Sequence, residues 1–203
     1  MTQELEIEFK NMITEVEYKQ LLSIFSVLDE QFVLQENFYF DTPHFSLKQQ
    51  GMALRIREKH GTYTLTLKQP VERGLLETHQ LLTVEQANTL LSGGKLIPGQ
   101  IADIIGKFSI QTDEIEYFGS LKTRRAEFEY KNGLLVLDES SYLNFTDYEV
   151  EYEVTDEKIG QVYFHELLQA YKIPIRKTEN KIRRFYNRKR QITLGEMKDE
   201  YRL

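Results

Sequence analysis

The chain contains no cysteine among its 203 residues. Disulfides, zinc–thiolate centres, iron–sulfur clusters and cysteine nucleophiles are therefore excluded. No apolar run approaches the ~18 residues of a membrane span. The opening MTQELEIEFK is too acidic and too poor in apolar side chains for a signal peptide. An excess of positive charge is missing as well. Lys and Arg number 26 against 32 Asp and Glu, a formal net charge of -6, so no chain-wide basic footprint for nucleic acid exists. No Pro/Gly/Ser-rich linker, low-complexity tract or strict short repeat divides the chain. The length suits one domain, and twelve Phe with twelve Tyr argue against disorder. These features predict a soluble cytoplasmic protein.

What is present is alternation. Leu5, Ile7 and Phe9 interleave with Glu4, Glu6, Glu8 and Lys10, the period of a strand. Thr14 and Glu17 spell a capping box before an apolar stripe of Tyr18, Leu21, Leu22, Phe25 and Leu28. Strands are predicted over 32–41, 53–59, 63–68 and 75–82, the middle pair joined at His60-Gly61. Thr83 with Gln86 caps another helix, and Ile101, Ile104 and Ile105 suggest a short one. Strands return at 122–131 and 134–142 around Asn132-Gly133, and again at 148–154. Asp156 caps a helix with the stripe Ile159, Val162, Tyr163, Leu167 and Tyr171. A basic segment with a helical turn and a polar tail follow. The pattern predicts one antiparallel, β-rich α+β domain.

The polar faces of these strands are unusual. Glu6, Glu8 and Lys10 share one face, as do Arg55, Arg57 and Lys59; Thr64, Thr66 and Lys68; Lys122 and Arg124; and Glu149, Glu151 and Glu153. If the sheet curls so that they meet, like charges repel strongly unless counter-ions or a ligand of opposite sign intervene. Alternating carboxylates suit a hard divalent cation such as Mg²⁺ or Mn²⁺. Clustered Arg and Lys suit a polyanion, with Arg gripping phosphate bidentately. Together they describe a polyphosphate site. The bland alternative is a solvated face laced by cross-strand ion pairs, each worth ~0.2–1 kcal/mol.

The order of the segments resembles the CYTH superfamily, the triphosphate tunnel metalloenzymes. Glu6-Ile-Glu8-Phe-Lys10 is similar to that family's E-x-E-x-K signature. Tyr39-Phe40-Asp41-Thr42-Pro43 follows, then Leu54-Arg55-Ile56-Arg57, Thr66-Leu67-Lys68, Lys122-Thr123-Arg124, Leu137-Asp138 and Glu151-Tyr152-Glu153, in the family's order over nearly the whole chain. Within the family, the resemblance runs to bacterial CYTH-domain proteins of the Bacillus type.

The resemblance implies a closed, eight-stranded antiparallel β-barrel, the triphosphate tunnel, with helices packed outside. Residues 1–190 would form this domain and 191–203 a polar C-terminal tail. Glu6, Glu8, Glu151 and Glu153, with Asp138, would hold Mg²⁺ or Mn²⁺. Lys10, Arg55, Arg57, Lys68, Lys122, Arg124 and Lys181 would hold the substrate, with Lys10, Glu6 and Glu8 at the catalytic centre. Three choices stay open: Glu149 shares the parity of Glu151 and Glu153; only one of Arg124 and Arg125 should point inward; and Lys177 competes with the favoured Lys181. Glu77 is an additional candidate acid.

The implied activity is metal-dependent hydrolysis of a triphosphate, inorganic triphosphate first and nucleoside or thiamine triphosphate next. The alternatives are an adenylate cyclase of the class IV type and a non-catalytic polyphosphate or nucleotide-binding module. The expected partner is a triphosphate-containing small molecule, not membrane or nucleic acid, and a homodimer is compatible with this reading. The histidines His44, His60, His79 and His165 have no metal-ligand spacing and are expected at the surface or in turns. Ser92-Gly93-Gly94-Lys95 lacks the full P-loop pattern. The basic run Arg183, Arg184, Arg188, Lys189 and Arg190 is expected as a solvated helix face or a lid over the tunnel mouth.

Overall fold

The N-terminal alternation extends over twelve residues, Thr2–Ile13 (β1), in a computed structural model that describes residues 2–200, with side chains through 195. Seven more strands follow: Phe32–Asp41 (β2), Ala53–Lys59 (β3), Thr62–Pro70 (β4), Leu75–Leu82 (β5), Glu116–Tyr130 (β6), Gly133–Tyr142 (β7) and Phe145–Val154 (β8). They close into an antiparallel barrel in the ring order β1-β5-β4-β3-β2-β6-β7-β8. Closure falls within β1. Thr2 to Glu6 pair with β5, and Ile7 to Ile13 pair with β8. The seam therefore passes between Glu6 and Glu8, and each faces a different neighbouring strand.

The barrel is polar inside and apolar outside. Leu54, Ile56, Leu65 and Leu67 point outward and pack under Ser46–Gln49 (α2), Val84–Leu91 (α3) and Gln100–Gly106 (α4). Leu135, Leu137, Val150 and Tyr152 do the same under Glu15–Ile24 (α1) and Glu157–Ala170 (α5). Each buried Leu or Ile contributes ~1.5–3 kcal/mol, so the stabilising core is two apolar layers between helices and barrel wall. The capping boxes at Thr14/Glu17 and Thr83/Gln86 form as the residues predict, and Asp156 accepts from the Ile159 N–H. The first helix stops at Ile24 because Ser26 takes φ 51, which leaves Leu28 off the stripe and exposed.

Two further differences concern the β6–β7 turn and the last helix. The β6–β7 loop is Lys131-Asn132, with Gly133 already paired in β7. Glycine stands there because a Cβ would meet Glu153 O at 2.5 Å and the Tyr152 ring at 2.7 Å. The basic segment forms a long helix, Lys181–Glu200 (α6), that runs unbroken through position 190; residues 201–203 of the expected tail lie outside the described residues. Its Phe185 ring enters one end of the barrel among Tyr39, Leu121 and Tyr142. Gly119 makes the room, since a Cβ there would collide with the ring. Among the described residues no helix is long and apolar enough to cross a membrane.

Gly119→Ala should cost about 1–3 kcal/mol by overpacking Phe185, while Phe185→Ala should cost about 3–5 kcal/mol by leaving a cavity. In urea melts the double variant should lose much less than the sum of the two. Strict additivity would show that Gly119 and Phe185 are not coupled.

Candidate active site inside the barrel

Period-2 pleating carries the charged rows inward. Glu6, Glu8, Lys10, Arg55, Arg57, Lys68, Glu151, Glu153 and Lys181 all line one cavity of about 390 Å³. These nine come from β1, β3, β4, β8 and α6, so closure of the barrel brings together residues up to 175 positions apart in the chain.

Lys122 and Arg124 are corrections. Both stand on the outer face of β6. Lys122 is 72% exposed, and Arg124 lies 3.4 Å above the Phe32 ring and bonds Asp29 at 2.7 Å. Arg125 is the inward arginine, because the β6–β7 register places it opposite Asp138 while Arg124 meets Glu139. Asp138 is fully buried beneath the cavity rather than on its lining. Its Oδ1 accepts from Arg125 Nε at 2.7 Å, and its Oδ2 meets Arg125 Nη2 at 2.6 Å and Lys181 Nζ at 2.8 Å. Both oxygens are thus engaged. Glu149 is also buried below the lining, bonded by Lys181 at 2.8 Å and Arg184 at 2.9 Å, whereas Glu151 and Glu153 reach the cavity. Lys177 is exposed and Lys181 lines the cavity. His79 is another correction: it shares the inward face of β5 with Glu77 and lines the cavity.

The interior divides into a neutralised wall and an open one. Arg125 Nη2 bonds Glu151 Oε2 at 2.7 Å and Lys181 Nζ bonds Glu151 Oε1 at 2.5 Å. Against burial, Lys181, Arg125 and Lys10 hold the Glu151 carboxyl well below its usual range. Lys68 bridges Glu6, at 2.6 Å, and Glu77. Burial raises Glu77, but Lys68 and Arg55 overcome it and hold it down to about 2. Glu6 has the opposite outcome: burial outweighs the pull of Lys68, and Glu8 and Glu77 add repulsion, which pushes it up to about 7.

In a ring of eight strands, β3 lies opposite β8. Its two arginines have no carboxylate within 4 Å among the described residues, and the buried Arg55 Nε has no hydrogen-bond partner. Burial, then Arg55 and Arg125 nearby, pull the Arg57 guanidinium down to about 9. Bare cations held in a cavity have the chemistry to receive an anion.

The acidic side offers oxygen donors. Glu8 and Glu153 are direct cross-strand partners, with Glu6 next along β1. Glu8 keeps an ion pair with Lys10, and among the described residues the one cation within 4 Å of Glu153 is Arg125, at 3.9 Å. Burial pushes the Glu153 carboxyl up, and Glu151 and Glu8 reinforce it. Crowded carboxylates with too few counter-ions suit a hard divalent cation. At the neighbouring mouth, one ligand atom each from Glu4, Glu77 and His79 lie within 4.8 Å of one another, a mixed nitrogen and oxygen set. Its members come from β1 and β5, paired Glu4 to Glu77.

Comparison with known proteins adds four findings. The family model described as CYTH domain matches residues 4–186. The chain is 51% identical over 191 residues to YjbK of Bacillus subtilis (strain 168), named as a candidate triphosphatase, covering 94% of this chain and 99% of that protein. A Bacillus halodurans crystal structure, described as a candidate adenylate cyclase, superposes with TM-score 0.88 at 43% identity, over 92% of this chain and 100% of that one. A Hippeastrum protein, described as a candidate adenylyl cyclase with a dominant triphosphatase activity, has the same fold at TM-score 0.75 and 23% identity, over 90% of this chain and 96% of that one.

The two adjacent arginines of β6 should behave very differently. Arg125→Met leaves the buried Asp138 and Glu151 with Lys181 as the ion-pair partner they share and should cost about 3–5 kcal/mol. Arg124→Met removes a half-exposed pair and should cost under about 1 kcal/mol. Equal losses in chemical denaturation would contradict the inward assignment of Arg125.

Proposed function

The chain belongs to the CYTH family, and from that premise we propose that it is a metal-dependent triphosphatase whose reaction takes place inside the barrel. The observation that carries this reading is the pair of unneutralised arginines, Arg55 and Arg57, facing a row of under-neutralised carboxylates across one cavity. A salted structural face would pair every charge with its neighbour. This interior leaves cations on one wall and acids on the other, which a metal-bound polyanion would satisfy together.

Glu6, Glu8 and Glu153 would hold the cation, Mg²⁺ or Mn²⁺, with Glu151 behind them in the grip of Arg125 and Lys181. Bound there, such an ion supplies charge neutralisation at phosphate oxygens and a more acidic water. Arg55 and Arg57 grip the phosphate chain from β3 and carry its developing charge. Lys10, on β1 between Glu8 and Glu151, supplies a cation on the acidic side of the cavity. The inner wall keeps the chain stretched between β3 and β8, which orients it for in-line attack. Inorganic triphosphate is the preferred substrate: the described lining residues include one phenol, Tyr39, and one imidazole, His79, with no pair of rings to sandwich a base.

The deciding assay is ³¹P NMR of products from inorganic triphosphate, ATP, GTP and thiamine triphosphate with Mg²⁺, Mn²⁺ or EDTA. Phosphate release that stops in EDTA supports the reading. Cyclic AMP with pyrophosphate from ATP would establish the cyclase instead, and no turnover at all would leave a binding module.

Glu6→Gln and Glu8→Gln should each lower kcat by about 100-fold or more, while triphosphate binding in EDTA persists or tightens because a like charge has gone. Full activity in the double variant would remove both from the metal set. Arg57→Ala should leave the ligand-free melting temperature unchanged or higher. The roughly 2.7 kcal/mol that a hundredfold excess of ligand over Kd confers on the wild type should be largely lost. A variant that is less stable alone yet equally protected by triphosphate would count against the open cationic wall.

A further inference from the structure

A buried arginine is ordinarily matched by a carboxylate, and Arg125 follows that rule with Asp138 and Glu151. Arg57 does not. Its cross-strand partner on β2 is Asn37, which is 1% exposed, and Asn37 Oδ1 accepts from Arg57 Nε at 3.0 Å. That amide is the one side-chain acceptor Arg57 has among the described residues, so both terminal nitrogens of its fork remain for the cavity. The rest of the wall is also free of carboxylates. Thr64 stands across from Arg57 on β4, and Tyr39 and Thr66 flank Arg55.

Size and shape do not require an amide at this position. Aspartate is nearly isosteric with asparagine and would accept the same Nε–H bond more strongly. It would also neutralise the guanidinium and reduce its attraction for an anion. An apolar residue would leave Nε without a partner and the fork without a fixed direction. Asparagine alone among these choices orients the guanidinium without cancelling its charge.

We propose that Asn37 is a positioning residue for the phosphate chain: through Arg57 Nε it aims the guanidinium fork into the cavity and preserves the full positive charge for the ligand. The inference rests on the triphosphate reading of the cavity. It also assigns the absence of carboxylates from the inward rows of β2 and β4 a purpose, as the side of the barrel where the ligand supplies the missing negative charge.

The test compares wild type, Asn37→Asp and Asn37→Ser by thermal melting without ligand, titration with inorganic triphosphate in EDTA, and steady-state kinetics with Mg²⁺ or Mn²⁺. Asn37→Asp should melt at a higher temperature than wild type when ligand-free, bind triphosphate at least tenfold more weakly and raise KM. Its penalty should be larger for triphosphate than for inorganic phosphate. Asn37→Ser, which keeps the wall neutral but shortens the acceptor, should weaken binding severalfold without the gain in melting temperature. A merely structural asparagine predicts lower melting temperatures for both variants and triphosphate affinity within twofold of wild type, and that result overturns the proposal. If Asn37→Asp does not fold, the affinity of Asn37→Ser decides alone. Wild type that shows no binding or protection by triphosphate, with or without divalent cation, overturns the triphosphate reading and this inference with it. Wild type that binds while Asn37→Asp binds equally well overturns only the role of Asn37.

Discussion

Charge enclosed in a low-dielectric barrel must be answered by charge of the other sign, and every other feature of this molecule accommodates that requirement. Asp138, Glu149 and Glu151 sit in the β7–β8 wall where water cannot screen them. Arg125 and Lys181 answer them with short, multiply shared ion pairs. One of these cations comes from within the barrel and the other from the helix that docks on it. Docking of α6 therefore completes the electrostatics of the interior as well as filling one end with Phe185.

With the interior given over to charge, the hydrophobic contribution has to come from elsewhere. The outward rows of β3, β4, β7 and β8 are almost continuously apolar, and helices cover them in two separate layers. Part of the β2–β6 exterior stays uncovered, where Leu34 is exposed and Arg124 pairs with Asp29 and Glu139. This inversion explains the abundance of Phe and Tyr in an acidic chain: aromatic pairs such as Phe25 with Phe128 and Tyr18 with Tyr148 pack outside the wall. It also stiffens the strands from behind, so that side chains facing the cavity hold their positions without packing against one another.

The interior is neutralised unevenly, and the unevenness is informative. Asp138 on β7 and Glu151 on β8 have both carboxylate oxygens engaged, Glu6 and Glu153 are held above their usual range, and Arg57 is held below its own. That engaged part acts as a foundation, because removing Arg125 or Lys181 leaves buried carboxylates short of a counter-ion. The unsaturated part stores unfavourable self-energy that a ligand of matching charge relieves on binding.

Much of this was legible in the residues themselves. The strand limits 32–41, 53–59 and 75–82 match the observed strands, and the alternation at Glu6, Glu8, Lys10, Arg55 and Arg57 named which side chains share a face. Period-2 spacing is a local property, so it survives without knowledge of neighbours. It cannot say which face turns inward where both carry charge. Arg124 and Arg125 differ by one residue, and only pairing with Asp138, across the β6–β7 hairpin, decides between them. His79 joins Glu4, 75 positions away in sequence, only because β1 pairs with β5, and Lys181 reaches Glu151 only because α6 folds back over the barrel end. The sequence by itself determined the secondary structure, the rows of charge and the family. The tertiary structure decided which charges were neutralised and which were left for a ligand, because neutralisation depends on distances between strands and local periodicity contains none of them.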